Sequence, residues 1–425
     1  MLQSHDHPQR YPLVNELHAR PFPRIEAPAR AVFVAIKEPV DAANRNRDRD
    51  RAHLLALLDR HGVAHPQPGA THYSGQLGRN HLKWESHTEF VTYSAFCPGL
   101  DERPFDPATA SIFSDDWLAQ APGKRLCSVL VRIDDLPDRE ADLSVRLEDW
   151  FVPESTAAAT VLDGAAVVAG DFRIDPAGHM RFAVFARPGI GSRRVGRVVQ
   201  RLCEIETYRA MSMLGLNRAR EVAARLNGLD PQLTELVKRM DGDRPEETLH
   251  ELLRISAELE ALAVAFSFRA GATKAYEAIV QQRIEALRET RFAGRQTFGE
   301  FMTRRYDPAM RTVKSVENRL KAMVERSARA AELLRTRVDV DRSAQNQLLL
   351  ESMDRRADLQ LRLQRTVEGL SVVAISYYAV GLAANMVAPL AEPAGLGKGT
   401  VLAVLTPLVV LLVWVLVRRL RRHFD

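Results

Sequence analysis

Cysteine is scarce: Cys97, Cys127 and Cys203 are the only three in 425 residues, far apart and without a paired spacing. A disulfide framework or a cysteine-based zinc site is thereby excluded, and reduced, structural thiols in a cytoplasmic domain are expected. Charge of one sign is also lacking, because a net +5 is small for this length, and nucleic acid is not expected as a partner. Met1 to Arg10 is polar and His-rich with no apolar stretch, so no cleavable leader is read there and insertion into a membrane must use other segments. No nucleophile elbow, dinucleotide fingerprint or HExxH helix occurs, and no catalytic residue is assigned. Gly395-Leu396-Gly397-Lys398-Gly399-Thr400 approaches a phosphate loop but fails. Position 392 is Glu, Gly399 stands where Ser or Thr is required, and no strand precedes it,.

The opposite lack, of charge over long stretches, organises the chain. Gly369 to Ala391 gives 23 residues without a charge, and Gly399 to Val417 gives 19 more after the short Glu392 to Lys398 segment. At about 1.5 Å per residue, each run is long enough to cross a hydrocarbon layer of roughly 30 Å. Arg355, Arg356, Arg362 and Arg365 precede the first run, and Arg418, Arg419, Arg421 and Arg422 follow the second. Cations near span ends stay on the cytoplasmic side, so a two-helix hairpin in a bacterial inner membrane with both termini cytoplasmic is expected, its basic tail beside anionic lipid. Within the first run, Gln364, Ser371, Tyr378 and Asn385 recur every seven residues and share one helix face,. A polar stripe avoids lipid. It serves either as hydrogen-bonding glue between helices of an oligomer or, through Ser371, Tyr378 and Asn385, as the lining of a conduction path.

The remainder reads as water-soluble, with 46% hydrophobic residues and a mean hydropathy of -0.20. The fold class expected is an α+β cytoplasmic domain over 1–190, a helical region over 191–306, a long amphipathic helix over 307–368 and the transmembrane hairpin with its tail over 369–425. Residues 11 to about 30 are Pro-rich and read as an extended surface segment. Strands are expected at Ala29 to Ile36, Thr71 to Leu77, His81 to Phe96 and Leu126 to Ile133, with helices at Ala42 to Arg60 and Ile112 to Gln120. Ala166 to Ile174 and His179 to Ala186 alternate around Asp175-Pro176-Ala177-Gly178, a hairpin with turn residues in place,. Beyond Gly191 the period becomes helical. A helix from Val195 is expected to stop at Gly228, and Asp230-Pro231 to start another. Glu246 to Phe268 and Thr273 to Glu289 continue the pattern, and Thr297 with Glu300 forms a capping box. From Asp307-Pro308 no strong breaker appears before the apolar run. Val313, Val316, Leu320, Met323, Ala331, Leu334 and Val338 lie on one face of this helix, followed by Leu348, Leu359, Leu363 and Val367,. A helix that long is expected to need either a parallel homo-oligomer along its length or cover from the preceding helices.

On the strand from His81, alternate residues His81, Lys83, Glu85, His87 and Glu89 share a face,. His81, Glu85, His87 and Glu89 could hold a divalent cation or do acid-base chemistry as an enzyme site, whereas Lys83 among them favours an ion-pair ladder on a sheet face. Asn15, Glu16, His18 and Arg20 make a second polar cluster, which reads as a surface segment pinned by hydrogen bonds.

Asn15 to Phe22 (NELHARPF), Trp84 to Phe90 (WESHTEF), Glu204 to Arg209 (EIETYR) and Thr366 to Tyr378 (TVEGLSVVAISYY) closely resemble a bacterial membrane-protein family known as domain of unknown function 3422. The resemblance covers nearly the whole chain and implies no established activity. In architecture alone, the order of soluble domain, long helix, span, short loop, span and basic tail resembles the CorA-type magnesium transporters, which are homo-oligomers conducting cations. That family carries Gly-Met-Asn at the outer end of its first span. The corresponding stretch here is Ala384-Asn385-Met386, without the signature, and only Asn385 carries over as a hydrated-ion contact. The sequence thus leaves open a homo-oligomeric CorA-like cation channel or transporter and a membrane-anchored interaction or sensor protein without transport.

Overall fold

The computed structural model describes residues 6–7, 9–11, 13–14, 21–391 and 397–424. The Asn15, Glu16, His18 and Arg20 cluster lies outside them, as does most of the Glu392 to Lys398 loop. Two compact units are present: Met1–Arg239 with His250–Ala330, called here the sheet unit, and Met240–Leu249 with Ala331–Asp425, the hairpin unit.

Among the described residues, nine strands form one sheet. In chain order the elements are β1 (Ala29–Lys37), α1 (Arg47–Arg60), β2 (His72–Leu77), β3 (Asn80–Ser86), β4 (Phe90–Pro98), α2 (Asp115–Ala119), β5 (Lys124–Asp135), α3 (Glu140–Trp150), β6 (Ala157–Val161), β7 (Ala166–Ile174), β8 (Met180–Ala186), α4 (Ser192–Lys238), α5 (Pro245–Leu287), β9 (Thr290–Arg291), α6 (Phe298–Arg305), α7 (Asp307–Ala391) and α8 (Lys398–Phe424). The strand order is β2-β3-β4-β1-β5-β8-β7-β6-β9. Only the central β5–β8 pair is parallel, with Val129 opposite Met180. The fold is therefore a mixed α/β sheet domain followed by long helices and a C-terminal helix.

The central strands are apolar on both faces because both faces are covered. Val32, Val34, Ile36, Leu82, Trp84 and Tyr93 meet Leu54, Leu57 and Leu58 of α1 and Trp117 of α2. Farther along the sheet, Leu143 and Leu147 of α3 pack with Val167, Ala169, Ala183 and Phe185. The opposite face carries Ala31, Phe33, Lys83 and Glu85 and lies against α4. Pro23 and Ile25 of the N-terminal segment are buried instead of lying on the surface, and the Ile25 amide donates to the Ser192 carbonyl at 3.1 Å. A Cβ at Gly196 would collide with the Pro23 carbonyl oxygen. Gly196→Val is expected to lower the stability of the chain by about 1–3 kcal/mol, read as an earlier urea or thermal transition; an unchanged transition would mean that the segment packs elsewhere.

His53 is a buried imidazole in the α1–α2 core. Its Nε2 lies 2.9 Å from the Trp117 carbonyl, which only accepts, so Nε2 donates there and Nδ1 accepts from the Tyr93 hydroxyl at 2.9 Å,. Burial pushes its pKa below the ordinary value, against the Trp117 hydrogen bond that favours the charged form. Burial shifts His81 and His179 the same way. A depressed imidazole contributes stability that is complete above its unfolded pKa of about 6.5 and is lost as pH falls through the lower folded value. Melting of the detergent-solubilised protein is therefore expected to weaken below about pH 6.5, with a shallower pH slope in His53→Gln. Identical slopes would remove His53 from that account.

Four expectations of the sequence are corrected. The stretch His81 to Phe96 is two strands, β3 and β4, because residues 86–90 are held in a tight turn by Arg45, described below. Ile112 to Gln120 yields a short 3-10 turn ending at Ile112 and the five-residue α2. The helix from Val195 does not stop at Gly228; α4 runs through Pro231 to Lys238. Leu226, Leu229, Leu233 and Leu236 are all buried at spacings that keep one face in phase across the proline. Burying four leucines outweighs the roughly 3 kcal/mol that an interior proline costs. Gln232 Nε2 also donates to the Gly228 carbonyl at 3.0 Å. The helix α5 is continuous where two segments were expected, with Phe266, Ala270 and Thr273 buried on either side of Gly271.

Other expectations hold. The β7–β8 hairpin turns through Gly178 at φ +88°, with Gly178 N bonded to Asp175 O at 2.9 Å. Thr297 and Glu300 cap α6 reciprocally. Asp307 begins α7. Within the sheet unit α7 buries Val313, Val316, Leu320 and Met323 and is tied to α5 by Lys314–Glu277 at 2.8 Å and Lys274–Glu317 at 2.7 Å. Arg319 ties it to α4 through Asp230 at 3.0 Å.

In the hairpin unit, Leu334 and Val338 are buried and Arg342 pairs with Glu246 at 2.9 Å. Every residue from 339 to 367 is then exposed, so Leu348, Leu359, Leu363 and Val367 find no cover among the described residues. Both α7 and α8 contain a stretch long and apolar enough, by length and composition, to cross a membrane.

Candidate functional site

A recess of about 220 Å³ lies in the sheet unit between one sheet face and α4. Extended β3 sends Lys83 and Glu85 to that face and Leu82 and Trp84 to the core,. The helical spacing of Gln200, Cys203, Glu204 and Thr207 brings them to the facing side of α4, and Arg283 enters from α5. The polar groups form a line of alternating character. Lys83 Nζ lies 3.2 Å from Glu85 Oε1 and donates to Gln200 Oε1 at 3.0 Å. Gln200 Nε2 donates to Glu204 Oε1 at 2.7 Å, and Glu204 pairs with Arg283. Glu85 is only 8% exposed. Lys83 stands off hydrogen-bond geometry from its Oε1, and among the described residues that oxygen accepts no hydrogen bond. Buried acceptors are costly unless partnered, and the Lys83 ammonium 3.2 Å away offsets part of that cost for Oε1.

The floor is aromatic. His87 stacks on Phe90 with ring centroids 4.5 Å apart, Phe90 meets Tyr208 edge-on at 6.0 Å, and Tyr208 stacks on Tyr276 at 5.6 Å. Tyr276 donates its hydroxyl to Glu89 Oε1 at 2.8 Å, and Arg269 holds Glu89 Oε2 at 2.5 Å. Burial foremost, then the Glu89 carboxylate, raises the Tyr276 pKa far above the ordinary phenol value. Burial lowers that of Lys37, whose Nζ is 3.8 Å from Glu89, against the raising pull of the same carboxylate. Cys203 and Cys127 are free, and burial raises both thiols, so neither is an activated nucleophile,.

Of the four residues read as a metal face, the structure brings Glu85 and His87 to the recess. His81 instead bonds Ser74 Oγ through Nε2 at 2.8 Å, and Glu89 lies 1% exposed in its own cluster with Arg269 and Tyr276. The alternation that would align all four ends with β3 at Ser86. Among the described residues no three His, Cys, Asp or Glu side chains are grouped to hold a metal ion. Sequence reasoning gave no role to Gln200, Glu204 or Arg283, which lie more than a hundred positions from Glu85. The one available signal was the presence of Glu204 and Tyr208 in the EIETYR stretch.

Phe22, Glu85, His87, Phe90, Glu204 and Tyr208 all line this recess, so each of the first three stretches that carry the family resemblance contributes at least one described residue to it. A family described as "Protein of unknown function (DUF3422)" matches residues 5–424. The chain belongs to that family. Curated proteins offer no match. The DUF3422 match extends over residues 5–424 and carries no activity with it.

The fourth stretch lies in the hairpin unit. Ser371, Tyr378 and Asn385 are exposed on α7, Tyr378 by 71%. Tyr378 and Asn385 border an open recess of about 770 Å³ shared with Leu402, Thr406 and Val410 of α8, whereas Ser371 lies outside it and bonds back to the Val367 carbonyl at 2.8 Å. Ser376, 6% exposed, faces the same recess with an unpartnered hydroxyl among the described residues.

Proposed function

We propose that this DUF3422 protein is a homo-oligomeric, multi-pass protein of the bacterial inner membrane with both termini cytoplasmic, in which copies of α7 surround an axis that conducts a cation. One observation carries the reading: α7 bears an uncovered seam with alternating spacings of three and four. The seam runs through Leu350, Met353, Ala357, Gln360, Gln364, Val367, Ser371, Ala374, Tyr378, Gly381 and Asn385. Leu350, Met353, Val367 and Tyr378 on it are 56–71% exposed. A seam of period 3.5 is the pattern of helices wound around partners, and Ala374 with Gly381 permits close approach inside a bilayer. Gln364, Ser371, Tyr378 and Asn385 place uncharged oxygens on that axis, where they can replace part of an ion's water shell. Facing lipid instead, the same groups would be costly. The arginines flanking both apolar stretches favour cytoplasmic ends.

The test is cation flux through the full-length protein in liposomes, with oligomeric mass measured in the same preparation. Selective flux through an assembled protein supports the reading. An assembled protein silent to several monovalent and divalent cations overturns it in favour of a membrane-anchored sensor. A specific observation favours that second reading: the recess of the sheet unit gathers Lys83, Glu85, Glu204 and Arg283 around an aromatic floor, a mixture of convergent polar groups and apolar rings that suits a small polar ligand.

A further inference from the structure

The sheet unit contains a second and larger cavity, of about 920 Å³, bounded by the β6–β7 turn, the turn after β8, the first turns of α4 and the last turn of α5. Arg187, Arg194, Arg197, Arg201 and Arg288 line it, against only two carboxylates, Asp163 and Glu285. Arg288 pairs with Asp163 at 2.7 Å, and Arg201 donates to the Ala286 carbonyl at 2.8 Å. Among the described residues Arg187, Arg194 and Arg197 have neither an ion pair nor a side-chain hydrogen bond. Arg201 feels the crowding: burial first, then Arg197, Arg283 and Arg288, lower its pKa, with Glu204 opposing them. Clustering like charges without counter-charge costs free energy that a bound anion recovers.

Spacing narrows the class of anion. Arg194, Arg197 and Arg201 stand at i, i+3 and i+7 on one face of α4, and so span about 10 Å along the helix axis. That is longer than one phosphate or sulfate and suited to a row of them. The planar guanidinium fork matches phosphate oxygens two at a time, and the cavity is within the usual range for small-molecule sites. Gly191 caps α4 without a side-chain hydrogen bond, so no side chain competes at that helix end, whose partial positive charge adds to the guanidinium field.

We propose that this arginine-lined cavity is a binding site for a compound carrying two or more neighbouring phosphate groups. A soluble polyphosphate or nucleoside polyphosphate and a lipid headgroup with two phosphates share that chemistry. The site is separate from the Glu85 recess and does not depend on ion conduction.

The probe is sodium tripolyphosphate, titrated calorimetrically into the full-length protein in neutral phosphatidylcholine nanodiscs, with citrate as a control of similar charge. Saturable binding of tripolyphosphate with citrate at least about tenfold weaker is expected, as is a loss of at least about tenfold in the Arg194→Gln/Arg197→Gln double variant, the equivalent of one charge-assisted contact. Neither arginine has a partner to lose, so the variant should melt no earlier than the parent without ligand. Should it melt earlier, Arg187→Gln in the turn after β8 serves as the second variant, with the same expected loss. Absence of binding, equal binding of citrate, or full binding by the correctly folded variants overturns the proposal. Repeating the titration in nanodiscs containing cardiolipin separates the sources: competition assigns the site to a lipid headgroup, and unchanged affinity assigns it to a soluble polyphosphate.

Discussion

Asn385→Ala is expected to abolish selective cation flux, by a factor of ten or more, while leaving the oligomeric mass of the reconstituted protein unchanged. Asn385 is exposed on α7 beside the α8 recess and makes no side-chain hydrogen bond among the described residues, so its truncation breaks no hydrogen bond among them. In the proposed assembly it removes a ring of amide oxygens from the axis, one from each copy. A ring loses its effect in every subunit at once, and each 1.4 kcal/mol of lost stabilisation is a factor of about ten. Met386, one residue along and 75% exposed, points about 100° away around the helix. Met386→Ala is therefore the matched control and should conduct normally. Flux that persists in Asn385→Ala but fails in Met386→Ala would place the path on another face of α7.

The largest effect on stability is expected from Arg45→Met. The Arg45 side chain is 1% exposed and bonds Asp50 Oδ2 at 2.7 Å, the His87 carbonyl at 2.7 Å and the Phe90 carbonyl at 3.1 Å, besides the Thr88 carbonyl. One guanidinium thus shapes the turn that separates β3 from β4 and sets His87 and Phe90 at the recess. Methionine fills similar volume but strands a buried carboxylate and several carbonyls, a loss of about 3–5 kcal/mol. Arg45→Lys should recover little, because an ammonium cannot reach as many acceptors in one plane. Burial already raises the Asp50 pKa, against Arg45, which lowers it. Removing Arg45 raises it further, so the native state holds that proton more tightly than the unfolded chain does. The deficit relative to the parent, measured by urea unfolding at matched pH, should then shrink as pH falls toward the raised pKa. A deficit independent of pH, or a lysine variant as stable as the parent, would contradict this account.

How much of this was legible depended on how local each cause is. The β7–β8 hairpin, the Thr297–Glu300 cap and the start of α7 at Asp307 were readable because the groups that determine them lie within four residues of one another. The two uncharged runs were readable because length and composition suffice. The β3–β4 turn was not, since Arg45 acts across about forty positions. At Pro231 the breaker signal was real and lost to the buried leucines on either side of it, a competition visible only once partners are in place. The candidate site shows the same division. Strand alternation put Lys83 and Glu85 on one face correctly, yet the charges that complete their network arrive from α4 and α5, where their spacing looks like that of any solvated helix.

The pairing of β6 with β9 sets a clock for biosynthesis. Thr160 lies opposite Thr290, 130 residues later in the chain. At roughly 5–20 residues per second on the ribosome, β6 waits on the order of ten seconds with an open edge before the strand that covers part of it has been made. For that interval the nascent sheet presents Ala157–Val161, an apolar strand able to pair with another chain. The last two-residue strand is small in the finished fold, but it is the step that removes the hazard, and slowed translation between α4 and β9 should raise aggregation of a protein whose final stability is unchanged.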